Sequence, residues 1–425
     1  MESAAEQRAP KQVTEHTENR GRRSLIGRRL YIFSALIDTI GGGLWMPVSL
    51  IFFIDGKGLP AEQVGLALTI GGIIGLVAAP NGGGLIDKRG PAFIAVIANV
   101  LCGSVFLFYT VVDQVWQIAL LSAVFAGADR LFWTANAPLL ERLVPAGQAL
   151  DRVLGAQNVA RIVGLGVGAG LSGLFIGNPS GLNILGYANG LSYVLAATIT
   201  LVAVLVAGVA TSRIAMPKAE SLATPWRRIL ADRPYLMLCL IQVQFGLAAR
   251  SFVVILPVVA IHTLGGPSWL PGVSVIVANG LLALIQAPVI RLSERTSRLW
   301  IINVSAIAFV GSFLLLVPGG TFGASAAVPI IVAVAVLTAV AEAGFAPPIT
   351  AAASLAAPQE LKGRYSAVLQ TSWGLGNVLA PALFTSLYAV SNSVLWLFMA
   401  LLLLAVVPIA NATAKRLPPG CLTAG

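Results

Sequence analysis

The sequence predicts an all-α integral membrane protein with twelve transmembrane helices arranged in two six-helix bundles. Hydrophobic residues make up 57% of the chain and charged residues only 10%, with a mean hydropathy of +0.86, whereas about a quarter of the residues in soluble domains are charged. Apolar runs of about 20 residues, the length that a helix needs to cross a hydrocarbon core of roughly 30 Å, recur along the chain. The longest polar interval lies near the middle and leaves six runs on each side.

The apolar segments follow one another with short polar connections. Each has the length and composition of a membrane-spanning helix, and the boundaries fall where charged, Gly or Pro residues cluster. The expected spans are residues 30–54, 62–84, 91–112, 115–138, 155–177, 183–210, 235–261, 270–291, 299–317, 324–348, 364–388 and 392–412.

These segments define the predicted domain organisation. Residues 30–210 form an N-terminal six-helix bundle and residues 235–412 form a C-terminal one. The connections are a disordered basic tail at residues 1–29, a central loop at residues 211–234 and a second tail at residues 413–425. The first tail lacks an apolar region and a cleavage site, so we expect no cleaved signal peptide.

Basic residues predict the orientation in the membrane, because cytoplasmic loops are enriched in Lys and Arg. If the N-terminus is inside, 23 of the 27 basic residues lie on the inner side, only Lys57 lies outside, and three lie within helices. We therefore expect a multi-pass protein of the plasma (inner) membrane with both termini in the cytoplasm. The net charge of +10 reflects this topology and does not indicate a nucleic-acid partner.

Composition also argues against enzymatic chemistry. Three cysteines and two histidines do not provide a disulfide framework or a metal cluster, and no P-loop motif is present. We expect no cofactor and no bound metal, and an enzyme would need a nucleophile and base or metal ligands at membrane depth.

Ionisable residues inside the predicted helices are the main functional signal, because a charge at membrane depth costs on the order of 3 kcal/mol. Asp38, Asp129 and Glu342 are the candidates for proton coupling, since a carboxyl group in a low-dielectric cavity can exchange protons near neutral pH. Asp38 ranks first because no Arg is adjacent to it in the sequence, and Asp129 could pair with Arg130 or Arg161. The alternative is that these acids and arginines form structural ion pairs.

Helical spacing predicts which side chains share a face with these acids. Asp38, Gly41 or Gly42, and Trp45 lie on one side of the first helix, and Asp129, Trp133 and Asn136 on one side of the fourth. A lining of aromatic and apolar groups with a few polar anchors suits an amphiphilic or cationic organic ligand, although the tryptophans could equally be packing residues. The substrate-cavity candidates are Trp45, Arg130, Trp133, Asn136, Arg250, Gln370, Trp373 and Asn377.

The stretch GGGLIDKRGP at residues 82–91 resembles motif A of the major facilitator superfamily, the pattern Gly-x-Leu-x-Asp-Arg-x-Gly between the second and third helices. The matching positions are Gly83, Leu85, Asp87, Lys88 and Gly90, with Lys88 where the pattern has Arg. An acid at this point can cap a following helix or pair with a base. The resemblance implies a gate-like latch, and the alternative is a solvated, positively charged turn.

The fifth segment is similar to motif C of antiporters in the same superfamily. The matching residues are Gly155, Gly164, Gly168 and Gly173, around Arg161, with Ala169 where the motif has proline. A face of small residues lets helices approach closely and slide. The resemblance favours export over import, and ordinary small-residue packing is the alternative.

Two softer resemblances, at residues 38–47 and 357–383, are to bacterial drug exporters of this superfamily, and the whole similarity covers residues 30–412. It implies that helices one, four, seven and ten line a central cavity. We expect a monomeric secondary transporter that exports a small hydrophobic or amphiphilic compound, such as a drug or secondary metabolite, by proton antiport with alternating access. Alternatives are a nutrient or metabolite uniporter or proton symporter, a lipid flippase and a non-transporting membrane sensor.

Overall fold

A computed structural model describes residues 8–78, 85–86, 89–143, 150–177, 179–208, 229–358, 361–418 and 421–422. All of its long elements are helices. In chain order they are α1 (Arg8–Trp45), α2 (Ala61–Ala78), α3 (Pro91–Tyr109), α4 (Val115–Leu143), α5 (Leu150–Ser172), α6 (Pro179–Ala207), α7 (Arg233–Val254), α8 (Leu270–Arg295), α9 (Arg298–Leu316), α10 (Ala327–Ala356), α11 (Lys362–Val390) and α12 (Asn392–Leu404).

These helices coincide with the twelve predicted apolar segments, which confirms the predicted fold class. Nine helices within the described ranges are long and apolar enough to cross a membrane, and three apolar helices in α2, α5 and α8 are shorter. The helix α1 begins at Arg8 and not near residue 30, so it includes part of the segment expected to be disordered. Alanine, glutamate, glutamine and arginine in that segment all favour helix.

Proline residues interrupt two of the spans. The helix α1 ends at Trp45, a 3₁₀ turn with Pro47 follows at Met46–Val48, and a short helix continues over Ser49–Ile54. The helix α7 ends at Val254, Leu256–Val258 forms a further turn, and Val259–Thr263 is a π-helix. Because proline has no backbone N–H and clashes with the preceding turn, it breaks the regular helix at both points. The span α12 also continues, after Ala405, as Val406–Ala414.

The tightest packing within the first six helices involves α1. This helix packs along both α5 and α6, while α2 packs on α4, and α3 lies between α4 and α6. A methyl group at Gly168 of α5 would overlap the carbonyl oxygen of Ile40, and one at Gly43 of α1 would overlap that of Leu165. Small residues therefore allow the backbones of α1 and α5 to touch.

The last six helices pack in a second set, in which α10 contacts α8 and α9, and α7 contacts α11. Aromatic rings fill its interior: Phe245 stacks on Phe345 at 4.5 Å between ring centroids, and Phe313 stacks on Trp396 at 5.5 Å. Apart from shorter contacts, the two sets meet along α2 with α11 and along α5 with α8.

The two sets are also joined at the end of the molecule opposite to the termini. His262 Nε2 lies 3.0 Å from Asp55 Oδ2, and the Ala382 backbone N–H donates to Thr69 Oγ1 at 3.0 Å. Nearby, the Lys57 amine donates to the Thr110 carbonyl oxygen, and partial burial lowers the pKa of Lys57. The contacts of Asp55 with His262 and of Thr69 with Ala382 join the halves on this side, which we call the distal end, whereas the Lys57 bond lies within the first set.

Candidate functional site

Two adjoining cavities lie between the helices. The first, of about 170 Å³, is bordered by α1, α3, α4, α5 and α6, and the second, of about 290 Å³, mainly by α7, α8, α10 and α11. Met46 and Leu165 line both. The remaining lining of the first cavity is Asp38, Thr39, Gly42, Asn99, Cys102, Asp129, Phe132, Trp133, Arg161 and Tyr193.

An ion pair crosses the wall of the first cavity. Arg161 Nη1 on α5 lies 3.6 Å from Asp38 Oδ2 on α1, and the two side chains are 12% and 10% exposed. The sequence offered Arg161 as a partner of Asp129, and the observed ion pair of Arg161 is instead with Asp38. The separation is longer than the 2.7–2.9 Å typical of a charge-assisted hydrogen bond, so the pair is loosely made.

The Arg161 guanidinium is also held by aromatic rings of α4. Its central carbon lies 4.5 Å from the Trp133 ring centroid and 5.6 Å from that of Phe132, which is the range of a cation–π interaction. Its Nε and Nη2 atoms are buried without a hydrogen-bond partner among the described residues. The cation is therefore desolvated, and among the described residues one carboxylate in ion-pair contact and two ring faces offset that cost.

Asp129 lines the same cavity as Asp38, so two of the three candidate carboxyl groups are in one compartment. The neighbouring Arg130 lines neither cavity, which differs from its predicted placement. The first cavity thus contains two acids and one arginine. If both acids are ionised its net charge is −1, and one proton neutralises it.

The second cavity contains Arg250 on α7 and Glu342 on α10, as the sequence predicted for these helices. Arg250 Nε donates to Asn377 Oδ1 on α11 at 2.6 Å. Although Glu342 lines the same cavity, no ion pair joins it to Arg250. A neutral amide therefore orients this arginine.

Aromatic and apolar groups make up most of the second cavity wall. Trp373, a predicted substrate contact, lines it together with Phe345 and Phe252, and the rings of Phe345 and Trp373 lie 5.8 Å apart. Gly246 faces the Trp373 ring, where a methyl group would lie 3.3 Å from it. Polar groups that the sequence did not single out, Asn279 and Gln286 of α8, are also in the wall.

Besides Arg130, three further predicted cavity residues lie elsewhere. Trp45 packs at 4.9–5.0 Å from the rings of Phe52 and Phe106, in an aromatic cluster near the distal end. Asn136 is buried and accepts a hydrogen bond from Tyr31 at 2.6 Å and another from Gln157 at 3.1 Å. Gln370 is exposed and lines neither cavity. Their roles in the described structure are packing, internal hydrogen bonding and surface.

The glycines of the motif C-like helix lie at close helix contacts. Gly164 faces Leu36 and Thr39, Gly168 faces Ile40 and Leu44, and Gly173 faces Trp269 in the other half of the molecule. Gly155 lies in the first turns of α5. The helix α5 therefore contacts α1 of its own set on one side and the beginning of α8 of the other set on another.

The motif A-like segment is only partly described. Gly83, Asp87 and Lys88 lie outside the described residues. Leu85 is exposed, and Gly90 has a φ of 82° directly before Pro91, the first residue of α3. That backbone conformation suits glycine, which has no Cβ, so this part of the motif has a local structural reason.

The contact of Asp55 with His262 was not predicted. Neither residue is among the candidate site residues that the sequence provided. The only sequence signal is the pair of prolines, Pro47 and Pro257, that bends each span shortly before these residues. A distance of 207 residues in the chain separates the partners, so spacing alone could not connect them.

Comparisons with known proteins agree on the architecture. A family model described as Major Facilitator Superfamily matches residues 31–327 and 283–420. No curated protein matches the chain.

Among solved structures, a mutant of the nucleoside transporter NupG is 12% identical, with a TM-score of 0.73 over 91% of this chain and 99% of its own. A POT family transporter in complex with a thioalcohol-conjugated peptide is 12% identical, with a TM-score of 0.70 over 92% and 96%. Another, in complex with 5-aminolevulinic acid, is 13% identical, with a TM-score of 0.68 over the same shares. At such low identity these likenesses show the fold alone.

Proposed function

The chain belongs to the major facilitator superfamily, and from this membership we propose that it exports a small hydrophobic or amphiphilic compound in exchange for protons. Membership makes it a multi-pass membrane protein and a secondary transporter with a small-molecule substrate. The direction of transport, the coupling to protons and the kind of substrate are the parts that we propose.

The ion pair of Asp38 with Arg161 is the observation that carries proton coupling. The Asp38 carboxylate lines a cavity and can be neutralised either by the guanidinium at 3.6 Å or by a proton. When a proton binds, the carboxyl group becomes neutral and the attraction that joins α1 to α5 is lost. When the proton leaves, the attraction returns. Protonation would therefore alter the contact between two helices that line the cavity.

Asp129 and Glu342 are the further candidates for protonation. Asp129 shares the first cavity with Asp38, and two ionised carboxyl groups in one desolvated space repel each other, which favours a proton on one of them. Glu342 is in the second cavity with Arg250. We propose Asp38 as the first coupling site, with Asp129 and Glu342 as secondary ones.

The cavity walls support an amphiphilic substrate. Phe132, Trp133, Phe345 and Trp373 offer ring surfaces, while a few charged groups provide anchors, as is usual in sites for organic ligands. The second cavity alone is near the lower end of the range of about 300–1,000 Å³ for such sites, and the first cavity adjoins it.

Alternating access is supported by the contacts at the distal end. The halves are joined there by Asp55 with His262 and, further along α2, by Thr69 with Ala382, so this conformation is closed at that end. We propose that the distal end faces outward and that both termini are in the cytoplasm, because nearly all loop Lys and Arg residues are on the side of the termini. The cavity then opens alternately to the two sides of the plasma (inner) membrane, within a monomer.

Transport in proteoliposomes with an imposed pH gradient tests this proposal. Cationic, neutral and anionic amphiphiles are screened with the wild-type protein, with Asp38→Asn and with Asp113→Asn, an acid in an exposed connection. Uphill movement opposite to protons that is lost only in Asp38→Asn supports antiport at this site. Flux that ignores the pH gradient in all three proteins would mean a uniporter with structural acids.

A further inference from the structure

The Arg250 side chain in the second cavity is held in place by one end only. Its Nε atom donates to Asn377 Oδ1 at 2.6 Å, so α11 fixes the plane of the guanidinium group. The two terminal nitrogens, Nη1 and Nη2, have no hydrogen-bond partner and no ion-pair partner among the described residues. A guanidinium offers parallel N–H donors along this edge.

The terminal nitrogens of Arg250 are open to the cavity. The Arg161 side chain provides the contrast, because its unpartnered Nε and Nη2 atoms are buried, whereas those of Arg250 are not. Arg250 lines the larger cavity, and an ion there can reach both donors. A planar pair of donors of this kind matches the two oxygens of a carboxylate.

The charge of Arg250 is not neutralised by direct contact. Glu342 lines the same cavity but makes no ion pair with it. Among the described residues the direct partner of this cation is a neutral amide, and an anionic ligand would supply the missing opposite charge. The cavity has a further property that fits an organic acid: Phe345 and Trp373 form a ring surface next to the charge.

We propose that the transported compound carries a carboxylate group, which Arg250 binds through Nη1 and Nη2 while the apolar body of the compound lies along Phe345 and Trp373. Asn377 is a positioning residue in this assignment, because it contacts Arg250 and not the ligand. The negative charge of Glu342 weakens binding by repulsion, so in this assignment the exchanged proton is carried by Asp38 and not by Glu342. The inference rests on the proposed transport function and narrows its substrate class.

Equilibrium binding to the purified full chain tests the assignment. The probes are phenylbutyrate, phenylbutylamine and phenylbutanol, which share one apolar body and differ in charge. Radiolabelled phenylbutyrate is bound to the detergent-solubilised protein and displaced with each of the three compounds. The expected result is that phenylbutyrate binds at least about tenfold more tightly than phenylbutanol, as one charged bidentate contact provides.

Variants separate the roles of the three residues. Arg250→Gln is expected to lower phenylbutyrate affinity at least about tenfold and to leave phenylbutanol affinity unchanged. Arg250→Lys keeps the positive charge but lacks the paired N–H donors of the guanidinium group. It should therefore retain only part of the preference for phenylbutyrate over phenylbutanol. Asn377→Leu lowers the affinity for phenylbutyrate alone, and Glu342→Gln raises it. Arg130→Gln is the matched control, since Arg130 lines neither cavity.

Three outcomes overturn the proposal. They are failure of phenylbutyrate to bind the wild-type protein at millimolar concentration, equal affinity for phenylbutyrate and phenylbutanol, and an equal loss in Arg250→Gln and Arg130→Gln. The first two outcomes are measured on the wild-type protein, so poor folding of a variant cannot account for them. The assay contains no pH gradient, and its result is therefore independent of the flux experiment that tests proton exchange.

Discussion

Asp38 on α1 and Arg161 on α5 form an ion pair at 3.6 Å across the wall of the first cavity. The partners are 123 residues apart in sequence, and the Arg161 guanidinium rests at the same time on the Trp133 ring of α4. Three helices therefore depend on one cation. Because the acid lines a cavity and the arginine is mostly buried, we expect a substitution at Asp38 to alter both the packing of these helices and the binding of a ligand.

At this pair, the losses of unfolding free energy in the two single variants should not sum to the loss in the double variant. Arg161→Gln leaves the Asp38 carboxylate without its partner, and we expect a loss on the order of 3 kcal/mol in unfolding free energy. Asp38→Asn together with Arg161→Gln removes both charges and should recover most of it. Unfolding monitored in detergent for the four proteins measures the coupling. Additive losses would show that the two side chains do not interact.

A methyl group at Gly168 should block the close contact of α1 with α5. Ala at this position would overlap the Ile40 carbonyl oxygen, while a methyl group at Gly166, on the same helix, meets no atom within 4 Å. We expect Gly168→Ala to lower the melting temperature and to slow transport. Gly166→Ala should do neither, because alanine is the better helix former by up to about 1 kcal/mol. Similar melting temperatures in the two variants would contradict the close approach.

Alanine substitutions at Asn136 and Asn279 should have different effects, the first on stability and the second on ligand affinity. Asn136→Ala leaves the buried Tyr31 hydroxyl and Gln157 amide without their partner, which should cost about 1–3 kcal/mol per group and leave ligand affinity unchanged. Asn279 lines the second cavity and, among the described residues, bonds only within α8, to the Val275 carbonyl oxygen, so Asn279→Ala should change affinity with little loss of stability. Melting curves and ligand binding for both variants decide. A change of ligand affinity in Asn136→Ala would indicate that Asn136 takes part in ligand binding.

Asp55 and His262 should keep the distal end closed. Both are partly exposed, so the direct contribution to stability is expected to be below about 1 kcal/mol. Even so, a small free energy can shift the balance between two conformations. Cys102 lines the first cavity and serves as a reporter when Cys239 and Cys421 are replaced by serine. Asp55→Asn and His262→Gln should each speed its labelling by an impermeant maleimide from the distal side.

The exchanged pair, Asp55→His with His262→Asp, is the control for that experiment. It restores opposite partners and should return the labelling rate toward that of the parent protein. A rate that is equally fast in the exchanged pair would mean that each side chain acts through packing alone.

The sequence predicted the fold because the signal is physical and local. A span of about 20 apolar residues has few structures other than a helix in a bilayer, since every backbone polar group must be bonded within the segment. The break at Met46–Val48 and the π-helix at Val259–Thr263 were not predicted, although Pro47 and Pro257 mark both places. Proline identifies the position of a break but does not specify the geometry that follows.

In the first cavity, the predicted lining agrees with the structure only within one helical turn of each acid. Gly42 and Trp133, four residues after Asp38 and Asp129, do line the first cavity. Trp45 and Asn136, seven residues after those acids, do not. Seven residues restore the direction of a side chain but move it about 10 Å along the axis, which is beyond a cavity of this size. A shared helix face is therefore weaker evidence that two side chains line one cavity than a shared level along the helix axis.

Ion pairs between distant segments could not be assigned from the sequence. Asp38 had no arginine beside it in the chain, and this suggested an isolated acid. The structure brings Arg161 to it through the glycine-lined contact of α1 with α5. The close packing that the small residues permit thus determines which arginine pairs with Asp38. Neither the glycine pattern nor the positions of the charged residues indicates this partner alone.

Met46 lies in the 3₁₀ turn directly after α1 and is part of both cavities. Its side chain is unbranched and flexible, so a change of rotamer would shift the boundary between the compartment on the side of Asp38 and the one on the side of Arg250. A branched residue at this position would fix that boundary, and we expect it to restrict the range of molecular lengths that the protein accepts.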